Sequence, residues 1–538
     1  MKMLPAIIAV LIILTACSES HNESAETNGN PTNTGNNTEK QDDNTGKQDD
    51  NTGKQDADSG KQDADSGKQD ADSGKQGADS GKQDDDSGKQ NDNSGKQDDD
   101  SGKQNDNSGK QDDDSGKPLN EGKFVSVPMH RTPDGVQPGT GIVFWPDRAK
   151  SLHKTYGDAI SLEFSYCLPS DVVTGKTDGK LQYNWDSFDA LLDDIASRGH
   201  QAVIRFRYEY PAGHDGSSDG KTAVPAYIKA LSDYHETYAA DPGGDGPTHY
   251  ADWSNDELKW FTTQFYSDFA ARYRSDPRIA FMEIGFGHWS EYHIYGTKLK
   301  PGINFPDKDY QKQFLKHIDA TLGIPWLISI DAADDEYSPI TESGDLQKLA
   351  FGLFDDSFMH EEHEIGSGDG YNEECWIAMG PDRWQSAPAG GEISYYEDDD
   401  QKNFLSTTGM YGTTWEEAAA KYHITFMIAN DATEGNHATP ERVRAASRAT
   451  GYAFEVTACA TDGSTTKVTV CNRGIAPLYR DAYFSIGNIR AATTLRGLLP
   501  GQCAEHTIAA ALQEEAELHI ESDVILPSQH IDFSANIP

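Results

Sequence analysis

The stretch RIAFMEIGFGHWSEYH, residues 278–293, begins as one kind of structure and ends as another. Ile279 to Phe286 is almost continuously apolar, the composition of a strand buried on both faces. Gly285 and Gly287 then let the backbone turn, and the remainder carries Trp289, Glu291, Tyr292 and His293. Glu283 lies within the apolar run, so it is expected inside the fold, paired with an arginine such as Arg205 or Arg207. Glu291 lies beyond the glycines and is expected to face a substrate.

Seven other runs share this texture: 141–145, 159–167, 201–211, 325–331, 350–358, 388–397 and 424–431. Helical stretches or long loops separate them. In NDELKWFTTQFYSDFAARYRSDP, for example, Leu258, Phe261, Phe265 and Phe269 recur at threes and fours. Near-continuous apolar strands alternating with helices predict a parallel sheet covered on both faces, and eight of them predict a (β/α)8 TIM barrel. The rival is an open doubly wound sheet. No GxGxxG opens a helix after a strand, which removes the dinucleotide reason for that fold.

Past PERVRAASRATG the texture changes to short alternating runs broken by Gly, Asp, Asn and Pro, which predicts a small β-sandwich. The boundaries expected are a barrel over 118–450 and a sandwich over 451–538. Cys459 and Cys471 flank the turn TDGSTT and are candidates to face each other across a hairpin. With Cys167, Cys375 and Cys503 that makes five cysteines in the body, so one is left over. None stands in a CxxC or Cys/His metal spacing, and no cofactor or metal is expected. HEEH at 360–363 lacks the HExxH spacing as well.

The N-terminus, residues 1–16, reads as a signal peptide: Lys2, then an apolar run from Leu4 to Leu14, shorter than the roughly 20 residues that span a bilayer. Leu14-Thr15-Ala16-Cys17 resembles a bacterial lipobox, which implies cleavage before Cys17 and lipid on its sulfur. Ser18 rather than Asp follows, which favours an outer membrane where the cell has one. Residues 17–117 repeat GKQDADS with a lysine at every seventh position from Lys40 to Lys117. A heptad coiled coil needs apolar a and d positions, and this repeat has none. Residues 18–117 hold 26 Asp and Glu against 12 Lys, a net of −14, which leaves −29 on the rest of a chain carrying −43. Such a segment buries nothing to offset its backbone entropy and is expected to act as a tether. A body this acidic is a poor partner for nucleic acid or anionic lipid. The expected partners are carbohydrate and, through the lipid, a membrane.

In a barrel of this kind reactive residues sit at the C-terminal ends of the strands. Those positions hold Trp145, Arg148, Tyr166, Arg205, Arg207, Glu209, Asp331, Asp356, Glu392 and Asp431. Carboxyls beside flat aromatic faces suit a sugar, whose C–H patches stack on rings. Two carboxyls flanking a glycosidic bond can cleave it. Glu291 is the expected acid/base and Glu392 the second carboxylate. Arg207, Glu209, His293 and Asp356 are expected to orient the substrate, with Trp253 and Trp289 stacking on it. A cleft that binds glycan without turnover is the alternative.

RIAFMEIGFGHWSEYH, AFGLFDDSF, GGEISYY and GYAFEV…VCNRGIAPLY resemble segments of an uncharacterised bacterial family, a domain of unknown function numbered about 4832. The resemblance runs from about Gly141 to the C-terminus. It implies a glycoside-hydrolase-like barrel lipoprotein with a C-terminal sandwich. Where that family shows Gly-x-Trp-Gly-Glu-Trp-His, this chain has Gly287-His288-Trp289-Ser290-Glu291-Tyr292-His293. Glu291 and Glu392 also match the positions of the acid/base and nucleophile in retaining barrel glycosidases, although such enzymes carry Asn-Glu where Ser290-Glu291 stands here. That likeness implies a retaining reaction.

Overall fold

The computed structural model describes residues 123–212, 220–240, 246–360, 370–395, 397 and 399–538. The signal segment, Cys17, the tether and the acidic stretch 361–369 lie outside the described residues. Among the described residues no helix is long and apolar enough to cross a membrane.

Eight parallel strands close into a barrel in chain order: β1 Gly141–Phe144, β2 Leu162–Cys167, β3 Gln201–Phe206, β4 Ile279–Glu283, β5 Trp326–Ser329, β6 Phe351–Phe358, β7 Ala389–Ile393 and β8 Phe426–Ile428. β3 pairs with β4, and β8 with β1. Each strand falls within one of the eight apolar runs, so the (β/α)8 reading holds. The helix Asp256–Tyr273 buries Leu258, Phe261, Phe265 and Phe269 as its spacing requires, and the Asn255 side chain caps it by accepting from the amides of Glu257 and Leu258.

Because side chains alternate across a strand, residues two apart share a face. Val143, Leu162, Phe164, Val203, Phe281, Leu327, Phe354, Phe426 and Ile428 form an apolar layer, each buried side chain contributing about 1.5–3 kcal/mol. Gly390 makes room for it: a Cβ there would meet the Phe426 ring, which stacks on Phe281 at 5.3 Å. One step of two along the same strands puts Tyr166 above Phe164, Arg205 above Val203, Glu283 above Phe281, Asp356 above Phe354 and Glu392 above Gly390. The polar layer at the C-terminal mouth therefore follows from the same alternation that builds the apolar one. At the opposite mouth Ala476 and Tyr479 join the apolar cluster, and the Tyr479 hydroxyl donates to the Trp384 carbonyl at 2.6 Å.

The C-terminal segment forms two sheets. One runs in the order Cys503–Ile508, Thr466–Asn472, Phe454–Thr461, Phe533–Ile537, Met129–Arg131; the other is Ile489–Arg490, Tyr483–Ile486, Leu518–Glu521. Two expectations are corrected. Val125–Ser126 and Met129–Arg131 pair with strands of this domain, so the segment before β1 belongs to the sandwich rather than to a barrel beginning at 118. Cys471 bonds to Cys503 on the neighbouring strand, and Cys459 is a buried thiol. In the register of this hairpin Cys459 stands opposite Val468 and Cys471 opposite Glu455, so the two flanking cysteines do not face each other.

Candidate active site

Arg205 organises the mouth. Its side chain has no solvent exposure, and its guanidinium lies over the rings of Phe354, Phe164 and Tyr166 at 4.2, 5.2 and 5.3 Å. Nε and Nη2 meet Oε2 of Glu283 at 2.8 and 2.6 Å. Nη1 meets Oε1 of Glu291 at 2.8 Å and Oδ2 of Asp356 at 2.7 Å, and donates to the Tyr166 hydroxyl at 3.2 Å. Glu283 is thus the buried structural partner of Arg205, as its place in the apolar run implies.

Glu291 reaches this cluster through a tight loop. Trp289, Ser290 and Tyr292 have φ of 51°, 66° and 65°, the left-handed region that side chains beyond glycine rarely adopt. Hydrogen bonds hold the strained turn: Tyr292 N–H donates to the Phe286 carbonyl at 2.8 Å, and Ser290 Oγ to the Phe206 carbonyl at 2.9 Å. Gly285 is needed for close approach, since a Cβ there would strike the Ser290 carbonyl. Backbone strain of this kind concentrates at functional sites.

Burial pushes the Glu291 carboxyl well above the ordinary carboxylic range; Asp356, hydrogen-bonded to it, adds to the rise and Arg205 opposes it. Glu392 is raised by burial and then by Asp356, with a Tyr395 hydrogen bond and Arg205 favouring its ionised form. Glu291 and Asp356 keep 14% and 13% of their side chains exposed, so the cluster has an outer edge. Asp356 is the electrostatic link between the two glutamates.

Around this centre the ring of Trp289 is half-buried against His293 at 5.6 Å and Tyr210 at 6.0 Å. His293 Nδ1 lies 2.9 Å from Asp331, which also accepts from the Tyr371 hydroxyl at 3.2 Å. Arg207, two residues beyond Arg205, is buried with its guanidinium 3.9 Å from the Tyr210 ring and 5.6 Å from the Tyr166 ring.

Two expected substrate contacts are not placed for that role. Trp253 is fully buried between Tyr208, Phe286 and Tyr310, so it packs the scaffold and offers no face to a sugar. Glu209 is buried as well: its Oε1 accepts from the Ala251 amide at 3.0 Å, and burial raises its pKa to about 8. It braces the 248–253 segment.

No family model matches the sequence, and no curated protein matches it. Among solved structures the chain is similar to the catalytic domain of a β-amylase from Paenibacillus polymyxa, with 13% identity over 55% of this chain and 93% of that one, at a TM-score of 0.32. It is similar to an endo-1,4-β-mannanase from Rhizomucor miehei, with 12% identity over 57% and 89% and a TM-score of 0.33. A family 39 glycoside hydrolase from Bacteroides cellulosilyticus gives 9% identity over 71% and 82%, with a TM-score of 0.32. The barrel assignment stands on the closed strand order and not on these likenesses.

Arg205, Tyr166, Asp331 and Tyr395 complete the centre that Glu291, Asp356 and Glu392 began. The sequence marks Arg205 as a residue of the strand ends and as a partner for Glu283, without a role in the site. The signal for its larger role is its place two residues past Val203, on the inner face of β3.

Proposed function

We propose that the barrel is a glycoside hydrolase acting on a polysaccharide or its fragments, with Glu291 as general acid/base and Glu392 as nucleophile. The observation that carries this is the convergence of Glu291 and Glu392 on Asp356 and Arg205, at the mouth where such folds place chemistry. A carboxyl held protonated by burial can donate to the leaving glycosidic oxygen. Burial and then Asp356 raise the Glu392 carboxyl, and the Tyr395 hydrogen bond and Arg205 oppose that rise; once ionised, Glu392 would attack the anomeric carbon and give retention. Trp289 and His293 would seat the sugar beside them. The family resemblance, the lipobox-like Leu14-Thr15-Ala16-Cys17 and the acidic repeat extend the proposal to a lipoprotein of the cell envelope, lipidated on Cys17 and with its body held away from the membrane.

The test is the purified full chain on a broad panel of glycans, read as release of reducing ends, with the product anomer followed by NMR. Release that disappears in Glu291→Gln supports the reading. A panel that yields binding without release leaves a glycan-binding protein in its place.

A further inference from the structure

His506 lies in the core of the sandwich, on the strand Cys503–Ile508, with 2% of its surface exposed. Its Nδ1 is 2.8 Å from the Thr493 hydroxyl and 3.2 Å from the Thr493 carbonyl. Nε2 is buried and meets no partner among the described residues. Phe484 of the facing sheet stands 5.7 Å from the imidazole and packs on Phe533 at the same distance. A neutral ring suits this setting. A second proton would give it a full charge and an N–H at Nε2 with no acceptor, and a buried charge without a partner is costly.

No neighbouring charge offsets that cost. Glu505, on the same strand, pairs with Lys467 of the next strand at 3.0 Å, both on the outer face and about half exposed. Arg131 covers the Phe533 ring at 4.4 Å and donates to the Leu518 carbonyl at 3.1 Å. Arg496, past Thr493, is exposed 3.9 Å from Asp481. Burial holds the His506 pKa below the ordinary value of about 6.5, and the Thr493 hydrogen bond alone opposes it.

The pairing of the strands decides where a response can go. His506 stands opposite Val468 and Val468 opposite Cys459, so all three side chains share the inner face of one sheet. Cys503–Ile508 is paired with Thr466–Asn472 along its whole length and tied to it by the Cys471–Cys503 disulfide. The yielding contact is therefore the one between the sheets, at Phe484, which no backbone ladder holds.

We propose that the sandwich is an acid-responsive module, in which protonation of His506 parts its two sheets while the barrel stays closed. Parting uncovers the buried Cys459 thiol and loosens the sheet that carries Val125–Ser126 and Met129–Arg131. The open form takes up a proton near pH 6.5 that the closed form refuses. Closure is thus complete above that pH and weakens below it, by at most about tenfold per unit for one proton. Nothing in this depends on the chemistry of the barrel.

The experiment is thiol labelling of the full chain from pH 7.5 to 5, each cysteine read by peptide mass and its rate divided by that of glutathione at the same pH. Cys459 reports the sandwich. The buried Cys167 and Cys375 report the barrel, as does tryptophan fluorescence, since all nine tryptophans lie between Trp145 and Trp415. Cys459 labelling is expected to rise about tenfold from pH 7 to pH 5, with Cys167, Cys375 and fluorescence unchanged. His506→Asn keeps a donor for the Thr493 carbonyl and cannot ionise, and His506→Phe fills the apolar site. In either variant the rise is expected to vanish, whatever the absolute rate. A flat Cys459 profile in the unaltered chain overturns the inference, as does an equal slope in whichever variant folds. So does a joint rise of all three cysteines, which means that the whole body opens. Should neither variant fold, the unaltered chain decides alone, by whether Cys459 responds apart from the other two.

Discussion

Glu291 and Asp356 share a single nitrogen, Nη1 of Arg205, at 2.8 and 2.7 Å. Burial and then Asp356 hold the Glu291 carboxyl above the ordinary carboxylic range, with Arg205 opposing, and the proton it keeps is the one a general acid would deliver.

For activity the sign follows directly. Glu392 must lose its proton to attack, so rate rises with pH on the acid side. Glu291 must keep its proton to protonate the leaving group, so rate falls on the alkaline side. Both carboxyls are raised by burial, so both limbs of the kcat/KM profile are expected above the ordinary carboxylic range of about 4–5. Asp356→Asn removes the negative neighbour and is expected to shift both limbs toward lower pH. Glu291→Gln is expected to cost roughly 10²–10⁴-fold in rate. A profile centred near pH 4 in the unaltered protein would contradict the assignment.

The two tryptophans separate scaffold from site. Trp253→Ala empties a fully buried position and is expected to destabilise the protein by about 3–5 kcal/mol in denaturant unfolding. Trp289→Ala touches a half-buried ring at the rim. It is expected to leave stability nearly unchanged and to raise KM roughly tenfold, about 1.4 kcal/mol of lost binding. The reverse pattern would restore Trp253 as the sugar-stacking residue.

The difference between those tryptophans shows where sequence reading stops. Periodicity locates strands because burial on both faces demands continuous apolar residues, and all eight barrel strands were legible that way. Alternation also separated Glu283 from Glu291, because one lies in the run and the other past its glycines. Trp253 and Glu209 were misjudged for a common reason. Both belong to the long excursion between β3 and the helix Asp256–Tyr273, where no period tells an inward from an outward side chain. The cysteine pairing failed for a different reason: Cys459 stands two residues before TDGSTT and Cys471 five after it, so a hairpin closed on that turn, with Thr461 opposite Thr466, sets Cys459 against Val468.

Glu209 predicts a pH effect on stability distinct from the effect on activity. Its pKa is raised to about 8 by burial, against about 4.3 in an unfolded chain. Between those values the native state holds a proton that the unfolded state has released. Stability is therefore full below about pH 4 and falls as pH rises toward 8, by up to about 1.4 kcal/mol per unit. Glu209→Gln keeps an acceptor for the Ala251 amide and cannot ionise, so it is expected to flatten that decline. Urea unfolding of both proteins across the window measures it, and parallel curves would show that Glu209 ionises without penalty.

The last prediction concerns how Glu291 is delivered. The loop that carries it folds back so far that the Ser290 carbonyl occupies the space beside Gly285 where any side chain would begin. A methyl group there cannot be absorbed by rotating a flexible chain, because its neighbour is backbone. Gly285→Ala must therefore push the 289–292 turn outward, straining a segment that already holds three left-handed residues. Overpacking of this kind costs about 1–3 kcal/mol, a loss the barrel can survive while Glu291 leaves Nη1 of Arg205. Activity is expected to fall at least about 100-fold, as small displacements of a reacting group do, with KM less affected than kcat. A crystal structure of the variant would show the Glu291–Arg205 contact broken, with Glu283 still seated on the same guanidinium. Full activity in Gly285→Ala would mean that the observed loop geometry is not the one in which Glu291 works.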